Sequence, residues 1–423
     1  MREMKDSGIE WVGATPETWK MIPLKYLASY NDEVLSENTD DEFEFDYIEI
    51  GSVQYGRGII YTEHMKFKNA PSRARRIVRK DDIIVSTVRT YLKAVATIPA
   101  CNNSLIASTG FIVIRPHKVL PRFMNYALLS ESFISLVESH STGISYPAIN
   151  SIDVVKFKIP VPCRSEQERI AAFLDAECAE IDTVLEKTRA SIEEYKKLKQ
   201  AIITQAVTKG IRGDRPMKDS GIEWIGEIPA EWDVLNLVAH TSMLTPMRDR
   251  PENLDGPIPW VRIEDFEGKY IESSKAGLGV SMKTVKEMNL KVYPVGTILC
   301  TSSCIMGKCA IVSRELVSNQ RFIGIIPDQT TDKTYLYYLM TSNAERMNFL
   351  STGALQANLS RSAFEHLKVQ FPPYSEQQEI AAYLDDKCEK IDELILKKQQ
   401  YLTEIENYKK SLIYEYVTGK REV

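Results

Sequence analysis

The tetrapeptide Phe371–Tyr374 (FPPY) is the string in this sequence that comes closest to a catalytic motif. It is close to the Asn/Asp-Pro-Pro-Tyr signature with which amino-methyltransferases hold a flipped base, but phenylalanine stands where that chemistry needs a hydrogen-bonding side chain. The matching place in the first half of the chain reads VPCR, Val161–Arg164. Because both places precede a predicted helix, we interpret them as strand-to-helix joints in which proline ends one element.

Nucleotide and metal sites have no better support. Gly307, Lys308 and Cys309 resemble the end of a phosphate loop, but the earlier glycine and the magnesium-binding Ser or Thr are missing. The five histidines lie far apart, and the seven cysteines form no close CxxC pair. We therefore expect a chain without a catalytic residue, metal or cofactor of its own, with reduced and mostly buried thiols.

The candidate DNA contacts begin in a basic segment. Residues 66–93 carry nine Lys or Arg against Asp81 and Asp82, whereas residues 31–49 carry nine acids and no base. Arginine can form two hydrogen bonds to the edge of guanine, and clustered Lys and Arg side chains displace counterions from phosphates. A DNA-facing patch is therefore one explanation. A solvated charge run explains the segment equally well. The candidates here are Arg73, Arg75 and Arg76.

A second group of candidates follows the strand that DDIIVST predicts. Arg89, Tyr91 and Lys93 lie in the loop after it. We align Lys93 with Lys308 of the second half and predict a shared phosphate contact. Arg321, just before the predicted strand FIGIIP, completes the basic candidates.

Two STG turns, Ser141–Gly143 and Ser351–Gly353, precede polar stretches in which the two halves differ. Asn and Gln side chains suit adenine edges. Hydroxyl groups that merely cap the next strand are the alternative explanation. The candidates for base contact are Ser145, Tyr146, Gln356 and Asn358.

An internal repeat positions all of these residues. MKDSGIEW at Met4–Trp11 recurs letter for letter at Met217–Trp224, and the segment Ser165–Asp182 returns as Ser375–Asp392 with 11 of 18 positions identical. The interiors between these matches have diverged. We interpret the chain as two copies of one fold, in which the repeated ends do the same job and the diverged interiors recognise different targets.

Two long helices follow from the second repeated segment. Ser165 and Ser375 are good N-caps after proline, and no proline interrupts the next 40 or so residues. One apolar stripe on a charged helix needs a partner, so we predict an antiparallel coiled coil about 60 Å long that holds two heads apart. Two separate helices, each covering its own head, are the alternative. The stripes are Ile181, Leu185, Ile192, Tyr195, Leu198 and Ile202, and Ile391, Ile395, Leu402, Ile405, Tyr408 and Leu412.

The heads show short β-rich runs with helical stretches at Phe123–Val137 and Tyr335–Phe349, which predicts an α+β class. The terminal VTGK, Val417–Lys420, matches the VTKG that leads into the second MKDSGIEW, so we expect the C-terminus to lie beside Met4 and the arrangement to have pseudo-two-fold symmetry. The predicted boundaries are 1–163 for the first head, 164–212 for the first spacer helix, 213–373 for the second head and 374–423 for the second spacer helix.

SEQERIAAFLD and SEQQEIAAYLD, the STG turns before a strand ending in proline, and the GIEWxGxxPxxW segments resemble specificity subunits of type I restriction-modification systems, over essentially the whole chain. The resemblance implies that each head is a target recognition domain reading one half of a bipartite, asymmetric DNA sequence. It implies a coiled coil that fixes the gap and binds two copies of a methyltransferase (modification) subunit. It also implies that these partners methylate adenine with S-adenosylmethionine, and that restriction and translocase subunits use ATP and Mg²⁺ on unmethylated DNA.

Composition narrows the functional class. A net charge of −5 argues against a protein that coats nucleic acid indiscriminately. No apolar run approaches the roughly 20 residues of a bilayer span, and the charged N-terminus lacks the apolar stretch of a signal peptide, so we expect a cytoplasmic protein without a membrane partner. A duplicated coiled-coil scaffold whose heads bind other proteins is the alternative function. Salt-dependent binding to duplex DNA separates the two.

Overall fold

The computed structural model describes residues 2–101, 103–247, 249–303, 307–350 and 359–423. The chain divides into two compact units, of which unit 1 is Met1–Arg189 with Gln400–Val423 and unit 2 is Ala190–Gln399. Each unit contains one α+β head and a stretch of both long helices. The predicted α+β class with two homologous heads is confirmed.

The head of unit 1 combines two four-stranded sheets with short hairpins. One sheet has the antiparallel order β11-β10-β13-β4, and the other has the order β8-β5-β12-β9, in which β12 runs parallel to β5. The strands are β1 (Met4–Asp6), β2 (Ala14–Pro16), β3 (Lys20–Pro23), β4 (Ala28–Tyr30), β5 (Glu44–Ile48), β6 (Val53–Gln54), β7 (Gly58–Ile59), β8 (Glu63–Lys66), β9 (Ala74–Val78), β10 (Ile83–Ser86), β11 (Val95–Thr97), β12 (Leu105–Ser108), β13 (Phe111–Pro116) and β14 (Lys158–Val161). The helices are α1 (Pro121–Leu129), α2 (Glu131–Ser139), α3 (Ser151–Val154) and the long α4 (Arg164–Lys209).

The head of unit 2 repeats the central sheet order as β18-β25-β22-β23, with β20 added at the edge, and has a second sheet ordered β21-β19-β24. Its strands are β15 (Met217–Asp219), β16 (Glu227–Pro229), β17 (Asp233–Asn236), β18 (Thr241–Leu244), β19 (Ile258–Val261), β20 (Tyr270–Ile271), β21 (Gly279–Val280), β22 (Ile298–Thr301), β23 (Cys309–Val312), β24 (Val317–Ser318), β25 (Phe322–Pro327) and β26 (Lys368–Phe371). Its helices are α5 (Met282–Glu287), α6 (Lys333–Ser342), α7 (Ala344–Leu350), α8 (Arg361–Glu365) and the long α9 (Tyr374–Val417).

The main core of unit 1 lies between the β10–β13 sheet and the long helices. Phe123 and Phe133 of the short helices are fully buried there, together with Leu174 of α4 and Leu412 of α9. Burying side chains of this size contributes about 1.5–3 kcal/mol each. The corresponding core of unit 2 contains Tyr335, Phe364 and Leu384. Each head is therefore built onto the helices of its own unit.

Each predicted helical stretch within a head is in fact a pair of helices. Ser130 has an extended backbone with ψ 136°, and its hydroxyl donates to the carbonyl of Ala127, so α1 ends there and α2 begins at Glu131. In unit 2, Asn343 separates α6 from α7, and its side-chain amide donates to the carbonyl of Leu339. At each break, a side chain donates a hydrogen bond to a carbonyl in the last turn of the preceding helix.

The long helices pair antiparallel, as predicted. In unit 1, Lys409 contacts Asp182 at 2.6 Å and Arg189 contacts Glu406 at 2.6 Å. In unit 2, Lys199 contacts Asp392 at 2.6 Å, and the ammonium group of Lys398 lies over Tyr195, 5.7 Å from the ring centroid. Residue numbers rise along α4 as they fall along α9, which defines the direction.

The predicted apolar stripes hold only in part. Leu198 and Tyr408 are about half exposed, and Ile203 rather than Ile202 is buried. Leu198 lies two steps of three residues after Ile192. Because each step of three falls about 60° short of a full turn, two steps carry the side chain roughly 120° away from the stripe.

The start of each long helix is held by the Glu and Gln of the repeated SEQ segment. The indole Nε1 of Trp19 donates to Glu166 at 2.9 Å, and that of Trp232 donates to Glu376 at 3.0 Å. Arg2 and Arg215 pair with these carboxylates in units 1 and 2 respectively, the second pair at 2.5 Å. The recurrence of this Trp–Glu–Arg joint gives a physical reason for the recurrence of the motif.

The helix caps lie two residues before the predicted serines, at Cys163 and Pro373. The helices begin at Arg164 and Tyr374, and the carbonyls of Cys163 and Pro373 accept the first helical hydrogen bonds. Glutamine strengthens the joint, because the side chain of Gln377 donates to the carbonyl of Pro372 at 2.9 Å. The interpretation of FPPY and VPCR as strand-to-helix joints is confirmed, since a strand ends and a long helix begins at both.

The last residues of the chain pack against the first ones within unit 1, as predicted. The hydroxyl of Thr15 donates to the carbonyl of Thr418 at 3.2 Å, and Arg2 lies 3.7 Å from Glu422. Of the described cysteines, four are buried and two, Cys101 and Cys163, are exposed, and all are free thiols. Within the described ranges, no helix has both the length and the apolar character needed to cross a bilayer.

Candidate nucleic-acid interface

The end of strand β10 is the point at which three segments of the first head meet. The amide of Thr87 donates to Gly110 at 2.8 Å, and its carbonyl accepts from Ile149 at 2.9 Å. One residue earlier, the amide of Ser86 donates to Ala94 at 2.9 Å. The turn after β10 and the STG loop are therefore tied to the same strand end. We call residues 87–94 and 141–148 together the loop pair.

The first member of the loop pair is a tight turn flanked by two basic residues. Thr90–Leu92 form one 3₁₀ turn, and Arg89 and Lys93 on either side have left-handed backbones with φ 53° and 52°. Residues other than glycine rarely adopt this left-handed backbone conformation, and those that do cluster at functional sites. Tyr91 is half exposed on this turn.

The STG loop is the second member, and it is closed as a hairpin. Thr142 and Ala148 exchange two backbone hydrogen bonds of 2.9 Å, and Gly143 between them has φ 108°. The hydroxyl of Ser141 donates to the carbonyl of Val137 at the end of α2, at 2.8 Å. This serine thus fixes the loop to the preceding helix, which neither sequence interpretation predicted.

Several candidate residues are brought together by this arrangement. The amide of Arg89 donates to Pro147 at 2.8 Å, and its guanidinium lies over the ring of Tyr146, 5.1 Å from the centroid. Thr90 donates to Ser141 at 2.9 Å across the two loops. Arg89, Tyr91, Ser145 and Tyr146 therefore share one small, rigidly held surface.

Lys93 has a different environment. Its ammonium group lies 3.4 Å from Glu138 and 3.9 Å from Glu131, both of α2. Two carboxylates thus compete with any phosphate for this charge. The side chain ties the turn to the helix.

The second head builds the same strand end from different residues. The amide of Thr301 donates to Lys308 at 3.0 Å, as Ser86 does to Ala94, and Ser302 accepts from Leu359 at 2.9 Å, as Thr87 does from Ile149. The predicted alignment of Lys93 with Lys308 is therefore wrong by one residue. The residue equivalent to Lys93 is Gly307, whose backbone is also left-handed with φ 75°.

Both basic candidates of the second head are exposed. Lys308 is exposed, and its ammonium group lies 3.4 Å from the carbonyl of Ile263. Arg321 is exposed, and its carbonyl accepts from Ser302 at 2.8 Å, which places it where Gly110 stands in the first head. Gln356 and Asn358 lie outside the described residues.

Arg73, just before β9, and Arg75 and Arg76 on β9 make their contacts outside the loop pair. Arg73 is 3.4 Å from Glu49, and the guanidinium of Arg75 lies over Phe67, 5.0 Å from the ring centroid. The Nε of Arg76 is buried without a hydrogen-bond partner among the described residues, and burial lowers the pKa of its guanidinium. Arg76 is thus held largely inside the head.

The acidic and basic segments neutralise each other. Arg79 contacts Glu33 at 2.7 Å, and Lys66 contacts Glu42 at 2.7 Å. From the sequence, residues 31–49 and 66–93 were considered separately and this pairing was not predicted, although their opposite charges were a signal for it. The loop pair is the stronger DNA-facing candidate, because its own residues 87–94 and 141–148 include no acid.

Comparison with known proteins gives one consistent result. A family model described as the type I restriction modification DNA specificity domain matches residues 16–194 and 233–407. The MjaIX specificity subunit of Methanocaldococcus jannaschii is 36% identical over 176 residues, which cover 39% of this chain and 40% of that protein. The putative MjaX specificity subunit of the same organism is 24% identical over 428 residues, covering 97% of this chain and 96% of that one.

The fold is also found among solved structures. A chain from a study of complex assembly and conformational transition of the type I R-M system superposes with a TM-score of 0.75 at 20% identity, covering 96% of this chain and 99% of the other. The family model matches well over half of the sequence, in two copies that coincide with the internal repeat. The chain therefore belongs to the type I restriction-modification DNA specificity family.

Proposed function

We propose that this chain is the DNA-recognition subunit of a type I restriction-modification complex and that each head reads one half of a bipartite, asymmetric sequence. The observation that carries the proposal is the pair of equivalent strand ends. Both heads tie two loops to the end of the same strand with the same backbone hydrogen bonds, but the side chains differ, with Arg321 in place of Gly110 and Lys308 in place of Ala94. The same backbone arrangement with different side chains is what recognition of two different half-sites requires.

Methylome sequencing of cells that express the chain with its modification subunit tests this proposal. Arg89→Ala should relax base preference in one half of the methylated sequence, because a bidentate arginine contact discriminates by about 1–3 kcal/mol. Lys308→Ala should affect only the other half. Lys156→Ala is the matched control, because this exposed lysine pairs with Asp153 outside the loop pair. If Arg89→Ala and Lys308→Ala changed the same half-site, the assignment of one half to each head would be refuted.

We infer further that two modification subunits bind one chain. The Trp–Glu–Arg joint occurs once in each unit, which supports two equivalent docking surfaces on the long helices. The partners would hold S-adenosylmethionine and methylate adenine, and added restriction subunits would hold ATP and Mg²⁺, so that no catalysis is assigned to this chain. We propose the cytoplasm as the location, because the substrate is the chromosome. Light scattering of the co-purified complex should give two modification subunits per chain, and a ratio of one would contradict the inference.

Binding to duplex DNA also separates this function from a protein-interaction scaffold. Each phosphate that the complex neutralises steepens the decrease of log K with log salt by about 0.9. A recognition subunit should bind the methylated sequence with such a slope and prefer it over a scrambled duplex. Binding without either property would favour the scaffold.

A further inference from the structure

Three exposed side chains with large apolar surface, Ile144, Tyr146 and Tyr91, lie on the loop pair, and we call them the tip. Ile144 is fully exposed at 102% of its reference area, and Tyr146 and Tyr91 are more than half exposed. An isolated exposed apolar residue is common on protein surfaces, but a group of them on a small surface indicates a binding site. The tip therefore has the character of a contact surface.

This tip is rigid, although it projects into solvent. The two Thr142–Ala148 hydrogen bonds close the hairpin, and Val88 forms a β-bridge with Ala148. At Gly143, an added Cβ would lie 3.2 Å from the carbonyl oxygen of Tyr146, so the loop also closes tightly on itself. The position of Ile144 is thus set by backbone contacts before any partner binds.

The charge around the tip selects an anionic partner. Residues 87–94 and 141–148 contain Arg89 and Lys93 and no acid. Lys93 is paired with α2, whereas the guanidinium of Arg89 stacks on Tyr146 beside the tip. An apolar point flanked by an arginine and hydroxyl groups suits stacked bases between phosphates better than it suits an apolar protein pocket.

We propose that Ile144 is a wedge that inserts between two neighbouring base pairs of the first half-site and unstacks them. Tyr91 and Tyr146 lie beside the opened step, and Arg89 contacts the edge of a neighbouring base. Apolar side chains inserted in this way bend duplex DNA and permit more contacts than a straight duplex allows. Unstacking also lowers the cost of extruding a neighbouring base, which chemistry on that base requires. This inference rests on the proposed function.

The test uses the full chain assembled with its modification subunit and a duplex that carries the sequence found by methylome sequencing. 2-Aminopurine replaces one adenine at a time in the first half-site, and its fluorescence rises when stacking is lost. Fluorescence anisotropy of an end-labelled duplex measures binding separately. The variants are Ile144→Ser, which removes the apolar group, and Ile144→Leu, which retains it. Ile152→Ser is the matched control, because this isoleucine is also exposed but lies on α3.

The wild-type complex, Ile144→Leu and Ile152→Ser should each give a several-fold rise in fluorescence at one step. Ile144→Ser should lose that rise and bind the duplex roughly tenfold more weakly. Its thermal unfolding should be unchanged, because Ile144 buries no surface in the head. The wedge is overturned if the wild-type complex binds but unstacks no step, or if Ile144→Ser unstacks the same step as the wild type. A complex that does not bind the duplex at all overturns the proposed function as well, and anisotropy alone reports that outcome.

Discussion

The Trp–Glu–Arg joint of unit 2 gives a quantitative test of what holds a head to its helix. Glu376 is 1% exposed, pairs with Arg215 at 2.5 Å and accepts from Trp232 at 3.0 Å. Arg215→Met keeps the length of the side chain but leaves a carboxylate buried with one neutral donor. Removing one partner of a buried ion pair costs about 3–5 kcal/mol, and the remaining indole bond favours the lower end of that range. We expect a loss of about 3 kcal/mol.

The same change in unit 1 should cost less. Glu166 is 12% exposed and Arg2 is 21% exposed, so water can replace part of the lost contact. We expect Arg2→Met to cost about 1 kcal/mol, in the range of partly solvated pairs. The double variant Arg215→Met/Glu376→Gln should recover most of the loss in unit 2, because glutamine still accepts from Trp232 and carries no charge.

Hydrogen exchange with mass spectrometry separates the two units in one sample. Peptides covering Ile380–Leu384 report on unit 2, and peptides covering Ile170–Leu174 report on unit 1, since these residues are buried at the start of α9 and α4. A loss of 3 kcal/mol raises the exchange rate on the order of 100-fold, and a loss of 1 kcal/mol raises it roughly fivefold. Equal effects of the two single variants, or no recovery in the double variant, would refute the reasoning that burial of the carboxylate sets the cost.

Three other predictions follow from single features. Gly324→Ala should destabilise unit 2 by about 1–3 kcal/mol in urea unfolding, because its Cβ would lie 2.4 Å from Cδ1 of the buried Tyr293, whereas Gly213→Ala is the matched control at an open position without a left-handed backbone. Hydrogen bonds from Arg79 and Arg115 hold the pKa of Glu33 below its ordinary value of 4.5, so the stability it contributes is present above that value and lost as the pH falls through the lowered pKa. Melting temperatures of Glu33→Gln should therefore fall less steeply in acid than those of the wild type, and parallel curves would contradict this. Adding one heptad to each long helix at the facing positions Arg189 and Glu406 adds about 10 Å, so the methylated sequence should keep its half-sites and widen its gap by about three base pairs. An unchanged gap in methylome sequencing would argue against the helices as the spacer.

The features that recur in the sequence were predictable, because each repeat imposes the same local chemistry. Trp19 of the GIEWxGxxPxxW segment meets Glu166 of the SEQ segment in one joint, which Gln167 supports. The long helices pair with each other, as an apolar stripe on each of them predicted. The stripes themselves were misjudged at Leu198 and Tyr408, because spacing by three residues drifts around a helix. Helix existence therefore follows from pattern, whereas the exact face depends on the phase of a few residues.

Contacts between distant segments were not predictable in the same way. The basic run at 66–93 was predicted to be either a phosphate-facing patch or a solvated charge run, and the fold places Glu33, Glu42 and Glu49 against its residues 66–80. Opposite charge made a pairing of the two runs plausible, but charge counts alone do not specify which of their residues meet. The alignment of Lys93 with Lys308 failed for a related reason, because letters matched within a loop where only the backbone hydrogen bonds define equivalence.

The two left-handed residues that flank the turn after β10 have different roles: one positions the turn, and the other is available to contact DNA. A side chain in this conformation costs about 1–2 kcal/mol, and the second head avoids that cost at the place of Lys93 with Gly307. The turn therefore does not need a side chain there in order to form. Lys93 is explained by its pairs with Glu131 and Glu138, so we interpret it as a positioning residue. Arg89 accepts the same backbone conformation but lies over Tyr146, beside the exposed tip, so its side chain is the one that remains directed at a partner.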